Sequence, residues 1–405
     1  MVARMTRVLE GVRVLEVAAW TFVPAAGAVL ADWGADVVKI EQPGAGDPQR
    51  GLVTSALMGG DAANVNYLIE QPNRNKRSLT VDLKSPGGKE LLLKLAARSD
   101  VFLTNWLEPA RRKVGIDVDD IRAVNPSIVY VRGSSHGPAG PESHKGSFDS
   151  AAVWSRSGVA SVITQPGEYP VVQPAAYNDL AGGQTIAGGI AAALLHRERT
   201  GQGLVVDVSL LGLGMWLMSA EIISARAYGI TEPVPRNARG KTPNPLVANY
   251  KTRDGRYLQL MMLQSDRYWP EFCRTVQRPE WVEEYPDATA RYLRRRELIG
   301  LLDEVFAGRD LAEWRTILGT MEGAWAAVQT PYEVAEDPQA LANAYAQTVH
   351  KGDLEFPLIT NPVQFDGAAP ELTPAPEVGQ HTEEILLELG YSWEDITALQ
   401  DTGAV

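Results

Sequence analysis

The chain has 405 residues, 45% of them hydrophobic and 22% charged, the mix of a globular protein with room for two or three domains and a large core. Its 38 Lys and Arg against 50 Asp and Glu leave a formal net charge of −12, which excludes a general nucleic-acid binder, since phosphate contacts need a basic face. An anionic small ligand held by a few local cations is still compatible. The single cysteine, Cys273, excludes a disulfide framework and a Cys-based zinc site and fits a reducing cytoplasm. The five histidines never fall at metal-ligand spacings, so no metal is expected.

The apolar run 17–31 follows Arg4, Arg7 and Arg13 as a targeting signal would. It is bordered by Glu16, interrupted by Pro24 and Gly27, and closed by Asp32 without an A-x-A pattern. It is also shorter than the roughly 20 residues of a spanning helix. It reads as a strand, a turn and a helix, and the protein as cytoplasmic.

Strands are predicted at 13–17, 36–40, 79–81, 101–103 and 128–131. Pro24 sits near the start of the first helix, and Ser85 caps a second whose first turn holds Pro86 and whose apolar stripe runs over 89–98. A further helix is predicted at 119–124. This alternation predicts a parallel sheet covered on both faces. Ligands of such sheets sit at the carboxyl ends of the strands, here the loops after Val17, Ile40, Leu103 and Val131. No G-x-G-x-x-G follows the first strand and no G-x-x-x-x-G-K-[ST] occurs, which argues against a nicotinamide enzyme or a P-loop protein.

Residues 178–220 are rich in Gly, Ala and Leu and read as a buried helix, a strand at 205–208 and another helix. The stretch 233–245 (PVPRNARGKTPNP) reads as a linker or active-site loop. A hairpin is predicted over 250–263, turning at Asp254-Gly255. Residues 266–330 read as helical, with Trp269, Phe272, Trp281, Leu301 and Trp314 as core. From Asp337 the pattern is mixed, ending in an amphipathic helix near 383–389 with Thr382 as its cap.

Asp179 stands at the head of the small-residue helix. The helix dipole there favours an ionised carboxylate with a lowered pKa, and Gly182 and Gly183 leave the backbone open to a ligand. Such a carboxylate is either a helix cap or a nucleophile for an activated acyl group. The run 73–84 (NRNKRSLTVDLK) gathers Arg74, Lys76, Arg77 and Lys84, which read either as a solvated loop or as a phosphate-binding cluster. His136 and His381 are the best-placed histidines, but no Ser-His-Asp pattern or G-x-S-x-G elbow is present.

Several segments resemble class III CoA-transferases, the family of formyl-CoA:oxalate and carnitine CoA-transferases and the related 2-methylacyl-CoA racemases. They are LEGVRVLE (9–16), LADWGADVVKIEQPGAGDPQR (30–50), NRNKRSLTVDLKSPGGKE (73–90), DVFLTNWLEPARRKVG (100–115), NPSIVYVRGSSHGPAGP (125–141), AALLHRERTGQGLVVDVSLL (192–211) and VGQHTEEILLELG (378–390). The resemblance implies an α/β fold: a Rossmann-like, CoA-binding large domain with a smaller α+β domain inserted, in a homodimer of interlocked, ring-like chains. The domains expected are 1–215 (large domain, first part), 216–245 (linker), 246–330 (small domain) and 331–405 (return to the large domain).

The resemblance also implies that Asp179 is the nucleophile, moving CoA from an acyl-CoA thioester to a free carboxylic acid through an aspartyl anhydride and an aspartyl-CoA thioester. Backbone N–H groups near Gly182 are expected to stabilise the oxyanions. No permanently bound cofactor is implied; CoA and its thioesters are substrates. Implied CoA contacts are Thr21 and Phe22, the run Val81, Asp82, Leu83 and Lys84, then Asn105, Trp106, Lys113 and Lys145. Racemases of the family carry a G-H-D triplet; here the run is Ser147-Phe148-Asp149, so the second acid/base is missing. In place of the formyl-CoA enzyme's glycine-rich loop stands R-N-A-R-G-K (236–241). Trp154 is a candidate wall of the acyl pocket. The alternatives are a 2-methylacyl-CoA racemase or epimerase and a non-catalytic CoA-binding protein.

Overall fold

The computed structural model describes residues 5–52, 65–165, 167–232 and 242–405. The run 236–241 and most of 233–245 lie outside the described residues. The chain forms two compact units: Met1–Ala160 with Val172–Ile230 and Pro338–Val405, and Ser161–Val171 with Thr231–Asp337.

The first unit is built on six parallel strands: β1 (Arg13–Val17), β2 (Asp36–Glu41), β3 (Arg77–Thr80), β4 (Val101–Thr104), β5 (Val129–Ser134) and β6 (Val205–Ser209). Their order is β3-β2-β1-β4-β5-β6. The strands are apolar on both faces because both faces are covered. Val14, Val101, Leu103, Val129 and Val131 point to one core, which includes Ile186 and Ile190. The alternate residues Leu15, Val17, Phe102, Ile128 and Tyr130 point to the other, with Leu91, Leu92 and Ile385. The chain winds outward from β1 to β3 and then returns to β4 on the opposite side of β1. The order therefore reverses between β1 and β4, and a crevice opens at their carboxyl ends.

Two helices pack together on the first of these cores: Phe22–Asp32 and Tyr177–Thr200. A Cβ on Gly183 would lie 2.5 Å from the Ala25 Cβ, and one on Gly182 would lie 2.4 Å from the Phe22 ring. These glycines let two helices approach, so the backbone beside them is covered by protein and not open to a ligand. Ser85 caps its helix as expected, its Oγ accepting the Gly88 N–H at 3.0 Å. The tail does not end in the helix Thr382–Glu388, since a further helix, Trp393–Asp401, follows and buries Ile396 in the second of these cores; the residue before the first turn of Thr382–Glu388 is His381. The Thr382 hydroxyl instead meets Thr80 Oγ1 at 3.1 Å and the Thr80 N–H at 3.2 Å.

The second unit has an antiparallel sheet of β7 (Val247–Lys251), β8 (Tyr257–Met261) and β9 (Trp325–Ala327), in that order. The hairpin turns through Gly255 at φ +78°. Trp269, Phe272, Trp281 and Trp314 are buried in its core, with Leu301 partly buried against it. β9 falls in the stretch read as helical; three residues are too few to show a strand period.

The interval 216–245 is not all linker: Ser219–Tyr228 is a helix in the first unit. The chain returns to the first unit at Pro338, seven residues after the expected 331, and Ser161–Val171 belongs to the second. Among the described residues, no single helix is long and apolar enough to cross a membrane.

Candidate active site

The long helix starts two residues before Asp179. Ala176, at φ +56°, turns the chain into it, and Asp179 is its third residue. Asp179 is therefore inside the first turn and does not cap it. The cap comes from another segment: Asp149 Oδ2 accepts the N–H groups of Asn178 at 3.1 Å and Asp179 at 3.3 Å. The Tyr177 N–H donates to Pro174 O and the Leu180 N–H to Ala176 O. With the first-turn donors taken, and Gly182 N–H inside the helical ladder, this helix end offers no oxyanion donor.

Asp179 is 8% exposed. Burial, and then the charge of Asp149, push its pKa up to about 7. This reverses the lowered value expected from the helix dipole. The dipole acts at the helix end, but Asp149 already spends that end, and a desolvated carboxylate is disfavoured.

Asp179 lines a cavity of about 500 Å³ at the carboxyl ends of β4 to β6, walled by Trp20, Phe22, Leu107, Phe148 and Leu210. Trp154 is not among its lining residues. A second cavity of about 410 Å³ lies at the ends of β1 to β4, lined by Val81, Leu83 and Trp106 among others. The two share Trp20 and Asn105 and meet at the reversal of strand order.

The partition between them is held from several sides. Asn105 Nδ2 donates to Ala19 O at 2.7 Å, and its Oδ1 accepts the Ala19 N–H at 3.2 Å. Trp20 has φ +68°, uncommon for a side chain of its size. Its N–H donates to Asp47 Oδ1 at 3.2 Å, and its ring meets Phe148 edge-on at 5.3 Å. Beneath the loop, fully buried Lys39 donates to Ala18 O at 2.9 Å and pairs with Asp47 at 2.9 Å and Glu16 at 3.2 Å.

The expected contacts are thus partly gathered. Phe22 and Asn105 line the first cavity; Val81, Leu83, Asn105 and Trp106 line the second. Thr21 is buried against Gln49. Asp82 folds back onto the Lys84 N–H at 3.0 Å. Lys84, Lys113 and Lys145 are exposed and line neither cavity; Lys145 pairs with Glu142 at 3.2 Å.

The basic run 73–84 is neither a solvated loop nor a phosphate cluster. Arg74 pairs with Asp32 at 2.6 Å, and Lys76 is fully buried on Glu16 at 2.7 Å. Arg77 is bound by Asp36, Glu384 and Glu388. Lys84 alone of the four is exposed. The histidines stand apart as well: His381 Nδ1 accepts the Ser78 N–H at 3.2 Å, and His136 faces Arg156 at 3.5 Å. Sequence reasoning missed Trp20, Asp47 and the capping role of Asp149, whose partners lie 27 to 30 residues away in the chain.

A doubly covered parallel sheet whose reversal point opens beside a buried carboxyl of raised pKa defines an α/β enzyme that handles a ligand at its strand ends. Residues 9–382 match the CoA-transferase family III. The chain is 33% identical over 408 residues to (R)-2-hydroxy-4-methylpentanoate CoA-transferase of Clostridioides difficile, covering 98% of this chain and 99% of that one. It is 30% identical over 387 residues to mouse succinyl-CoA:glutarate CoA-transferase, covering 94% and 86%. The crystal structure of Rv3272 from M. tuberculosis superposes with a TM-score of 0.78 at 26% identity, covering 95% of this chain and 99% of that one. The protein belongs to CoA-transferase family III. It is an enzyme that transfers coenzyme A.

Proposed function

We propose that this enzyme moves CoA between carboxylic acids with Asp179 as the nucleophile, in a cytoplasmic homodimer of interlocked chains. The observation that carries this reading is the buried Asp179 carboxyl, raised to about 7, in a cavity adjoining a second one at the strand ends. At neutral pH a large fraction of it is ionised, and a carboxylate of raised pKa is a better nucleophile than an ordinary one.

The Asp179 carboxylate attacks the thioester carbonyl, forming a mixed anhydride and releasing CoA thiolate. The thiolate attacks the aspartyl carbonyl of the anhydride, giving an aspartyl-CoA thioester and the first acid as its carboxylate. The second acid's carboxylate attacks this thioester, forming a new anhydride and again releasing the thiolate. The thiolate takes the acyl group and restores the Asp179 carboxylate. Each step exchanges one activated acyl bond for another, so the sequence closes without nucleotide energy.

CoA is assigned to the second cavity, against Val81, Leu83, Asn105 and Trp106, and its phosphates to the exposed Lys84 and Lys113, which do not line that cavity. Exposed Met215, Trp216, Ile223 and Tyr228 supply an apolar surface that a partner chain would cover. A racemase reading lacks its second acid/base: of the described residues lining the cavity, Asp179 alone is acidic or basic, and Phe148 stands where the family's racemases have histidine.

Asp179→Ala and Asp179→Asn should lose transfer by three orders of magnitude or more while binding CoA nearly as tightly as the native enzyme, by calorimetry. Full transfer activity in either variant would refute the assignment. In heavy water, a deuteron gained at the α-carbon of a 2-methylacyl-CoA with no new thioester would instead favour the racemase.

A further inference from the structure

The first cavity has one ionisable group among its described lining residues, Asp179. Among the described residues no Lys, Arg or His lines it, and its largest walls are the rings of Trp20, Phe22 and Phe148. Most of its neutral polar groups are already engaged. Asn105 is spent on Ala19, and the Ser135 hydroxyl is spent on both backbone groups of Ser147, at 2.9 and 2.7 Å. Ser134 Oγ accepts the Gly137 N–H at 3.1 Å, leaving its own hydrogen for a ligand.

The transfer chemistry fits this sparse polarity. When the acyl-CoA enters, the sole carboxylate is Asp179. When the second acid enters, Asp179 is a neutral thioester and the sole carboxylate is the acid's own. The site therefore holds one reacting carboxylate at a time. An acid with a second carboxylate would add a permanent charge to a space with no cation among its described lining residues to pair it, where burial and Asp149 already disfavour negative charge. The edge-on Trp20–Phe148 pair offers what an apolar ring or branched chain needs.

We propose that the acids this enzyme activates carry one carboxylate and an apolar, ring-sized or branched side group seated against Trp20 and Phe148, and that Phe148 determines this specificity. Family membership does not decide this point, since similar chains are named both for a branched hydroxy acid and for glutarate. The inference rests on the transfer reading of Asp179.

The test is self-exchange, which needs no knowledge of the natural donor and acceptor. Each acyl-CoA is mixed with its own carbon-13-labelled free acid, and label entering the thioester is followed by mass spectrometry. The pairs are 3-phenylpropanoate, 4-methylpentanoate, succinate and glutarate. The expected kcat/KM is at least tenfold higher for the first two than for the dicarboxylates. Phe148→Arg, at a side chain 58% exposed and so tolerant of change, should lower that ratio at least tenfold by improving the dicarboxylate pairs. Phe148→Ala should slow the phenylpropanoate pair more than the methylpentanoate pair.

Succinate or glutarate exchanging as fast as the apolar acids in the native enzyme would overturn the inference. So would an unchanged ratio in Phe148→Arg with an unchanged order of pairs in Phe148→Ala. If no pair exchanges, the transfer reading itself falls and the inference falls with it, an outcome distinct from exchange with the wrong preference.

Discussion

Asp149 and Asp179 oppose each other at the head of the long helix. Asp149 Oδ2 accepts the Asp179 backbone N–H at 3.3 Å, while its charge adds to burial in raising the Asp179 carboxyl to about 7. Since only ionised Asp179 attacks, acyl-enzyme formation should rise with pH and level off above about 7. Asp149→Asn keeps an oxygen for the two backbone N–H groups and removes the repulsion, so the midpoint should move down. Stopped-flow measurement of CoA release from pH 5 to 9 checks both. An unmoved midpoint would assign the shift to burial alone.

The same raised value has a stability consequence. A carboxyl titrating near 7 when folded and near 3.8 when unfolded holds its proton more tightly in the native state. Its contribution is full below about pH 4 and is lost as pH rises through about 7. Asp179→Asn should therefore be more stable than the native enzyme at pH 8, by on the order of 2–4 kcal/mol, and nearly equal to it at pH 4. Urea denaturation at the two pH values reads the difference.

Two glycines of one helix should respond with opposite sign to the same change. A Cβ at Gly183 meets Ala25 Cβ at 2.5 Å and the Ala26 nitrogen at 2.9 Å, whereas at Gly188 it meets nothing within 4 Å. Gly188→Ala should stabilise by up to about 1 kcal/mol through helix propensity. Gly183→Ala should destabilise by about 1–3 kcal/mol through overpacking. Thermal melts of both variants suffice; a gain at Gly183 would mean that the two helices separate at little cost.

Lys76 and Lys84 lie in one basic run but have different surroundings. Lys76→Met leaves Glu16 buried beside only Lys39, and should cost about 3–5 kcal/mol. Lys84→Ala is a surface change and should stay within about 0.5 kcal/mol, while raising the KM for acyl-CoA if its ammonium meets a phosphate. A stable Lys76→Met enzyme with an impaired KM would restore the phosphate reading of that residue.

These contrasts show which information the sequence carries. β1 is legible to the residue, and the other sheet strands to within three, because their alternate side chains enter two cores and leave near-continuous apolar runs. The Ser85-Pro86 helix start is equally local. Asp179 could be placed at a helix head, but not its protonation, which depends first on its burial and then on Asp149, thirty residues earlier. The basic run 73–84 misled because its partners Asp32, Glu16 and Glu388 are distant in the chain. Charges grouped in sequence say nothing of whether each is paired in space. The three-residue β9 carries no period of its own and exists by pairing with β8.

The central claim is that Asp179 carries CoA. Enzyme mixed with an acyl-CoA and quenched in borohydride should contain Asp179 reduced to the alcohol, because a thioester is reduced where a free carboxylate is not. Peptide mass spectrometry locates the change. Reduction at Asp179, dependent on acyl-CoA and absent in Asp179→Ala, is the result predicted here. Turnover with Asp179 unmodified, or reduction at another carboxylate, would contradict it.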